Sequence, residues 1–231
     1  ENKMKTTTAT LTRWAGVAAM VAGLCYVLVG IFHPLNIASS ATTPRWIIVH
    51  ILACVMCFFG LLGMAGLYAR QVAKFGWLGL VGYFLLSLWF ALILGFTFVE
   101  VLILPLLATV TPTFVAGWLG MFTGVASAMN LGALPLLWTL TGAVYILGGL
   151  LFGIATFRAQ ILPRWAGILL AAGTTFGPVA ALFPAEHQPK VAVPVGLALV
   201  WLGYALWSER RAQALQAVSD TGSPQLHPTA A

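Results

Sequence analysis

GWLGLVGYFLLSLWFALILGFTFVEVLILP, residues 76–105, carries one charged residue, Glu100, and ends on Pro105. About 20 apolar residues already cross the hydrocarbon core of a bilayer, so this stretch reads as a spanning helix with a carboxyl group inside it. A carboxylate at that depth costs about 2.5–3.5 kcal/mol on insertion scales, which makes Glu100 a candidate functional residue.

The surrounding sequence has the same character. Of 231 residues, 61% are hydrophobic and 7% charged, and the mean hydropathy is +0.98. A soluble domain is usually about a quarter charged, so the chain is expected to be an all-α integral membrane six-helix bundle with the lipid bilayer as its main partner. The spans fall at 14–33, 46–69, 76–105, 134–157, 165–183 and 191–208, within a single bundle covering 1–211. The first run is too long for a signal-peptide core and is read as a retained span. Residues 113–129, apolar but broken by Gly, Ser and Thr, read as an interfacial or re-entrant segment on the outer side. Residues 212–231, rich in Ala, Gln, Ser, Thr and Pro, read as a disordered cytoplasmic tail.

The basic residues set the orientation. With both termini cytoplasmic, Lys3, Lys5, Arg13, Arg70, Lys74, Arg158, Arg164, Arg210 and Arg211 lie inside, and only Arg45 and Lys190 outside. A seventh crossing at 113–129 would move Arg158, Arg164, Arg210 and Arg211 outside and spoil that asymmetry. The net charge of +6 is therefore membrane topology and not a nucleic-acid surface.

This topology sends the internal ionisable groups to one side. His33 closes the first span, and His50 sits one turn into the second, ~6 Å below the outer boundary at the helical rise. Glu100 lies ~7.5 Å down the third span by the same rise. Matched depth on consecutive antiparallel helices predicts a direct His50–Glu100 pair, in a chamber opening outward with His33 or His187 near its mouth. Glu186 and His187 belong to the outer loop 184–190. Imidazole and carboxylate suit Zn, Fe or Cu, so His50 and Glu100 are candidate metal ligands; they equally suit a proton relay or a polar ligand. A purely structural reading competes: His50 bonded to a nearby carbonyl, and Glu100 simply protonated or paired at the interface.

His50, Cys54 and Cys57 are spaced i, i+4, i+7 and are expected on one helix face. Cys54-Val55-Met56-Cys57 resembles the C-x-x-C of quinone-coupled thiol oxidoreductases of bacterial membranes, which implies a possible redox role for both cysteines. Cys54 lies deeper than that pattern requires, ~12 Å past Trp46, and Cys25 supplies no second pair. His33 and His50 on adjacent spans also admit a haem, although the four-histidine set of a two-haem cytochrome is missing. No lysine lies inside a span to form a retinal Schiff base, and the glycines match neither Rossmann nor P-loop spacing.

Arg13-Trp14-Ala15-Gly16 and Arg164-Trp165-Ala166-Gly167 open two of the spans alike, from hairpin duplication or from a shared need for snorkelling anchors. Gly60, Gly63 and Gly66, and Gly79 with Gly82, have the spacing of close helix packing in lipid. With Leu162-Pro163-Arg164-Trp165-Ala166-Gly167 and Trp201-Leu202-Gly203-Tyr204-Ala205-Leu206-Trp207, the chain is similar to small, uncharacterised six-span bacterial membrane proteins. That resemblance implies a multi-pass protein of the cytoplasmic membrane and brings no activity with it. The expected function is binding of a small ligand, ion or cofactor by Glu100, His50 and His33 near the outer face, alone or as an accessory subunit with membrane-protein partners. The alternative is a membrane oxidoreductase using Cys54 and Cys57 or a bound metal or haem.

Overall fold

The computed structural model describes residues 8–222, with the side chains of Ala9 and residues 210–222 excepted. Lys3, Lys5 and the end of the expected tail, 223–231, lie outside the described residues, as do the side chains of Arg210 and Arg211.

α1 (Thr8–Phe32) stops at His33-Pro34, where proline removes an amide donor. α2 (Pro44–Phe98) starts on Pro44, with the Thr43 hydroxyl accepting from the Trp46 amide at 3.3 Å. Gly76 interrupts it at φ 56°, ψ −162°, a backbone region essentially confined to glycine. The chain doubles back there, leaving arms 44–75 and 77–98 antiparallel. Tyr68 stacks on Tyr83 at 4.7 Å between ring centroids, and Gly60 receives the Phe90 ring. A π turn (Val99–Ile103) leads into α3 (Leu104–Val110) and α4 (Pro112–Thr123). α5 (Leu134–Ala159), α6 (Arg164–Thr175) and α7 (Val193–Gly222) follow.

Among the described residues all regular structure is helical. Four helical stretches are long and apolar enough to cross a membrane: Thr10–Phe32, Pro44–Val110, Leu134–Ala159 and Gln188–Glu209. Those lengths and that apolarity are the make-up of a membrane protein.

The helical arms form a closed ring. α1 packs on the first arm of α2, the second arm on α5, α5 on α6, α6 on α7, and α7 returns to α1. Lipid tails are as apolar as leucine, so such seams depend on close approach. The α1–α7 seam is the tightest case. Gly16 faces Gly203 and Gly23 faces Gly196, and a Cβ on any of the four would lie within 3.0 Å of the partner's carbonyl oxygen. Gly153 and Gly167 make the same reciprocal contact between α5 and α6. Gly63 and Gly66 receive Ala19 and Ala15 of α1, and Gly82 lies against Phe152 of α5.

Two expected segments need correction. Residues 165–183 are not one helix: α6 ends at Thr175 and a 3-10 stretch (Gly177–Leu182) completes the segment. Gly177-Pro178 explains the break, because proline lacks an amide proton and disfavours helical geometry at the residue before it. The last helix is longer than 191–208; it is entered through a 3-10 turn (Gln188–Ala192) and continues to Gly222, so residues 212–222 are helical where a tail was expected. Within 113–129 only α4 is regular, and its 12 residues span roughly 18 Å. It ends at Gly124, φ 74°.

Candidate functional site

The site starts from a gap in a backbone ladder. Pro105 has no amide proton, so the helix preceding it must leave a carbonyl unpaired. In the π turn the Leu104 amide bonds the Val99 oxygen, five residues back. The next donor in that register would serve the Glu100 oxygen, and residue 105 has none to give. The Trp46 indole N–H fills the vacancy, donating to the Glu100 carbonyl oxygen at 2.7 Å. Trp46 is fully buried, so one side chain caps the carbonyl and joins the start of α2 to the end of its second arm.

The same turn aims the Glu100 side chain back at the first arm. Its Oε2 lies 3.4 Å from His50 Nε2, with His50 2% and Glu100 8% exposed. His50 stacks on Trp46 at 4.0 Å, and its Nδ1 donates to the Trp46 carbonyl at 2.7 Å. That bond fixes the tautomer. With the proton on Nδ1, a neutral His50 presents only a lone pair at Nε2, and an ionised Glu100 presents only acceptors. Two acceptors facing each other in a buried site need a proton between them, or another donor in its place. His50 Nε2 has no hydrogen-bond partner in the structure. The Trp118 indole N–H of α4 lies beside the carboxyl, outside hydrogen-bond geometry, and is also unpartnered.

His33, one residue beyond α1, meets His50 edge to face at 5.2 Å and bonds the Pro34 carbonyl through Nδ1 at 2.7 Å. Burial holds its imidazole below the usual titration range, reinforced by nearby Arg45 and opposed by the Pro34 carbonyl. Arg45 itself donates to the Phe32 carbonyl at 3.0 Å. All three sequence-derived residues, His33, His50 and Glu100, line one cavity of about 310 Å³. Its lip is formed by exposed Leu35 and Ala185 with Asn36, and its walls include five aromatic side chains, Tyr26, Trp89, Phe96, Phe122 and Trp138. At its base the Tyr26 hydroxyl donates to Tyr145 at 3.0 Å, and Trp89 packs against both rings.

Other expected residues lie elsewhere. On the first arm of α2 the cavity face is formed by His50, Ala53 and Met56; neither Cys54 nor Cys57 lines it. Cys57 is fully buried in the apolar core, and Cys25, Cys54 and Cys57 are all free thiols. Glu186 and His187 are exposed in the loop, while their neighbours Ala185 and Gln188 reach the cavity. Among the described residues no three His, Cys, Asp or Glu side chains gather to hold a metal ion, so His50 and Glu100 form a donor pair one ligand short of the usual three. His33 and His50 touch each other, leaving no gap for a macrocycle between them.

In the sequence Trp46 marks only a membrane boundary, and nothing there singles it or the aromatic walls out as parts of the site. Pro105, five residues after Glu100, was the available signal for the freed carbonyl; nothing in the spacing identifies its donor. Neither family models, curated proteins nor solved structures give a match to this chain.

Proposed function

We propose that this is a multi-pass protein of a cytoplasmic membrane that binds a small ligand in the His33–His50–Glu100 cavity, near the outer face. Six crossings with both ends inside fit the turn at Gly76. They also fit α6 with its 3-10 extension, which together reach about 30 Å. The described basic residues support that orientation: Arg13 lies over the Trp207 ring and Arg70 pairs with Glu209, at the end of the bundle away from the cavity.

One observation carries the reading. Two buried acceptors, His50 Nε2 and Glu100 Oε2, share the wall of an aromatic cavity whose lip reaches the surface. Pockets of this volume, mostly apolar with a few convergent polar groups, are the usual form of a small-molecule site. A purely structural ion pair needs no such space beside it.

The test is thermal unfolding of the purified protein against a panel of small amines, alcohols, carboxylates and quinones. Compounds that stabilise the parent should lose their effect in Ala53→Phe, which fills the cavity from α2, and in Glu100→Gln. Identical shifts in the parent and both variants, or no compound active on the parent, would overturn the reading.

A further inference from the structure

Resting on the cavity reading above, we infer that the ligand is a small organic ammonium ion, a primary or secondary amine on an apolar body. It binds by displacing the proton held between Glu100 and His50.

The donor and acceptor inventory leads there first. The titratable side chains on the cavity wall are Glu100, His33, His50 and the Tyr26 phenol, and among the described residues no Lys or Arg lines it. An anionic ligand would therefore meet the Glu100 carboxyl without a compensating charge. A neutral acceptor, such as a ketone, would meet two further acceptors unless the proton stayed in place. An ammonium group supplies what the pair lacks. Its nitrogen, about 2.8 Å from each of Glu100 Oε2 and His50 Nε2, would close a triangle on their 3.4 Å separation; His50 Nε2 is enclosed, so a neighbouring side chain must shift to admit it.

The walls select the rest of the molecule. Tyr26, Trp89, Phe96 and Trp138 present ring surfaces that attract cations and accept apolar groups. A hard inorganic cation would want about six oxygen ligands, and the cavity offers a single carboxylate, with neutral side chains for the rest.

The exchange balances as one ammonium in and one proton out. The bridging proton leaves to solvent, the ammonium N–H groups replace it at both acceptors, and the net charge of the site is unchanged. The groups around this exchange are few. His50 and, a turn away, Cys54 come from the first arm of α2. His33 stands at the lip with Arg45 behind it, Tyr26 comes from α1, and Tyr145 of α5 lies behind Tyr26. α4 contributes the Trp118 indole, and the turn before α7 contributes Gln188 and Pro189, none of them titratable.

The test compares three isosteric probes on the purified protein: 2-phenylethylamine, 2-phenylethanol and phenylacetate. Binding is read from quenching of tryptophan fluorescence and from proton release in weakly buffered solution. The amine should bind at least about tenfold tighter than the alcohol and release one proton per molecule. Its affinity should rise about tenfold per pH unit over the range in which the pair holds that proton. Glu100→Gln should abolish the proton release and the preference for the amine over the alcohol. Binding of alcohol or phenylacetate with no preference for the amine would overturn the ammonium assignment and leave the cavity reading standing. Amine binding without proton release would overturn the exchange. If all three probes fail to bind, the ammonium assignment falls.

Discussion

The two ends of this bundle solve opposite packing problems. At the Arg70 end the helices are drawn together, with α1 and α7 in backbone contact at Gly16–Gly203 and Gly23–Gly196. Arg70 of α2 grips the Glu209 carboxylate of α7 with two nitrogens, Nε reaching Oε2 at 2.9 Å. Gln71 reaches across to Thr156 of α5. Toward the other end the same seven-residue register brings Gly30 to Pro189, and the small partner is missing. Gly30 and Pro189 both line the cavity. One seam thus zips shut while its small pairs last and opens into a pocket when they run out. A cavity in a close-packed interior is here the continuation of a packing pattern with one member changed.

The comparison breaks most visibly at the tight end. Gly23→Leu drives a side chain into the Gly196 backbone and should cost about 3 kcal/mol or more, the upper range of overpacking, read as a lowered unfolding temperature in detergent. At the cavity end, Trp46→Phe strands the Glu100 carbonyl in a buried site and should cost about 1–3 kcal/mol. Repeating that substitution in a Pro105→Ala background sharpens the point, since residue 105 then has an amide to offer. The penalty should shrink by about 1 kcal/mol in the double-mutant cycle, and strict additivity would exclude the proposed link between proline and indole. The smallest effect belongs to Arg70→Ala. Its pair with Glu209 is a quarter to a third exposed, so the loss should stay below about 1 kcal/mol and weaken in salt.

Much of this architecture was legible because hydropathy and charge act over long windows. The helices α1 (Thr8–Phe32) and α5 (Leu134–Ala159) and the turn near Gly76 all follow from apolar runs and their basic flanks. Depth counting placed His50 opposite Glu100 because consecutive antiparallel helices keep a fixed rise, and the two atoms lie 3.4 Å apart. The face of Cys54 was not so readable. An i+4 step from His50 leaves open which side of the helix meets the cavity, and His50, Ala53 and Met56 took it. The α1–α7 glycine register was present in the sequence as Gly16 and Gly23 against Gly196 and Gly203, but pairing distant helices requires knowing that the ring closes between them. The break at Gly177-Pro178 was readable from proline alone; hydropathy, which runs through it, hid it. The aromatic walls come from four helices and from no local pattern at all.

Ring closure between the first and last helices has a consequence for biogenesis. The cavity wall draws on residues 26–36 and 185–192, separated by the 148 residues between them. A ribosome-bound intermediate that stops short of residue 185 therefore holds the imidazoles and the acid in a groove with one side missing. The pocket closes only when residues 185–192 join it, so a product terminated before them inserts its early helices without acquiring the enclosed site.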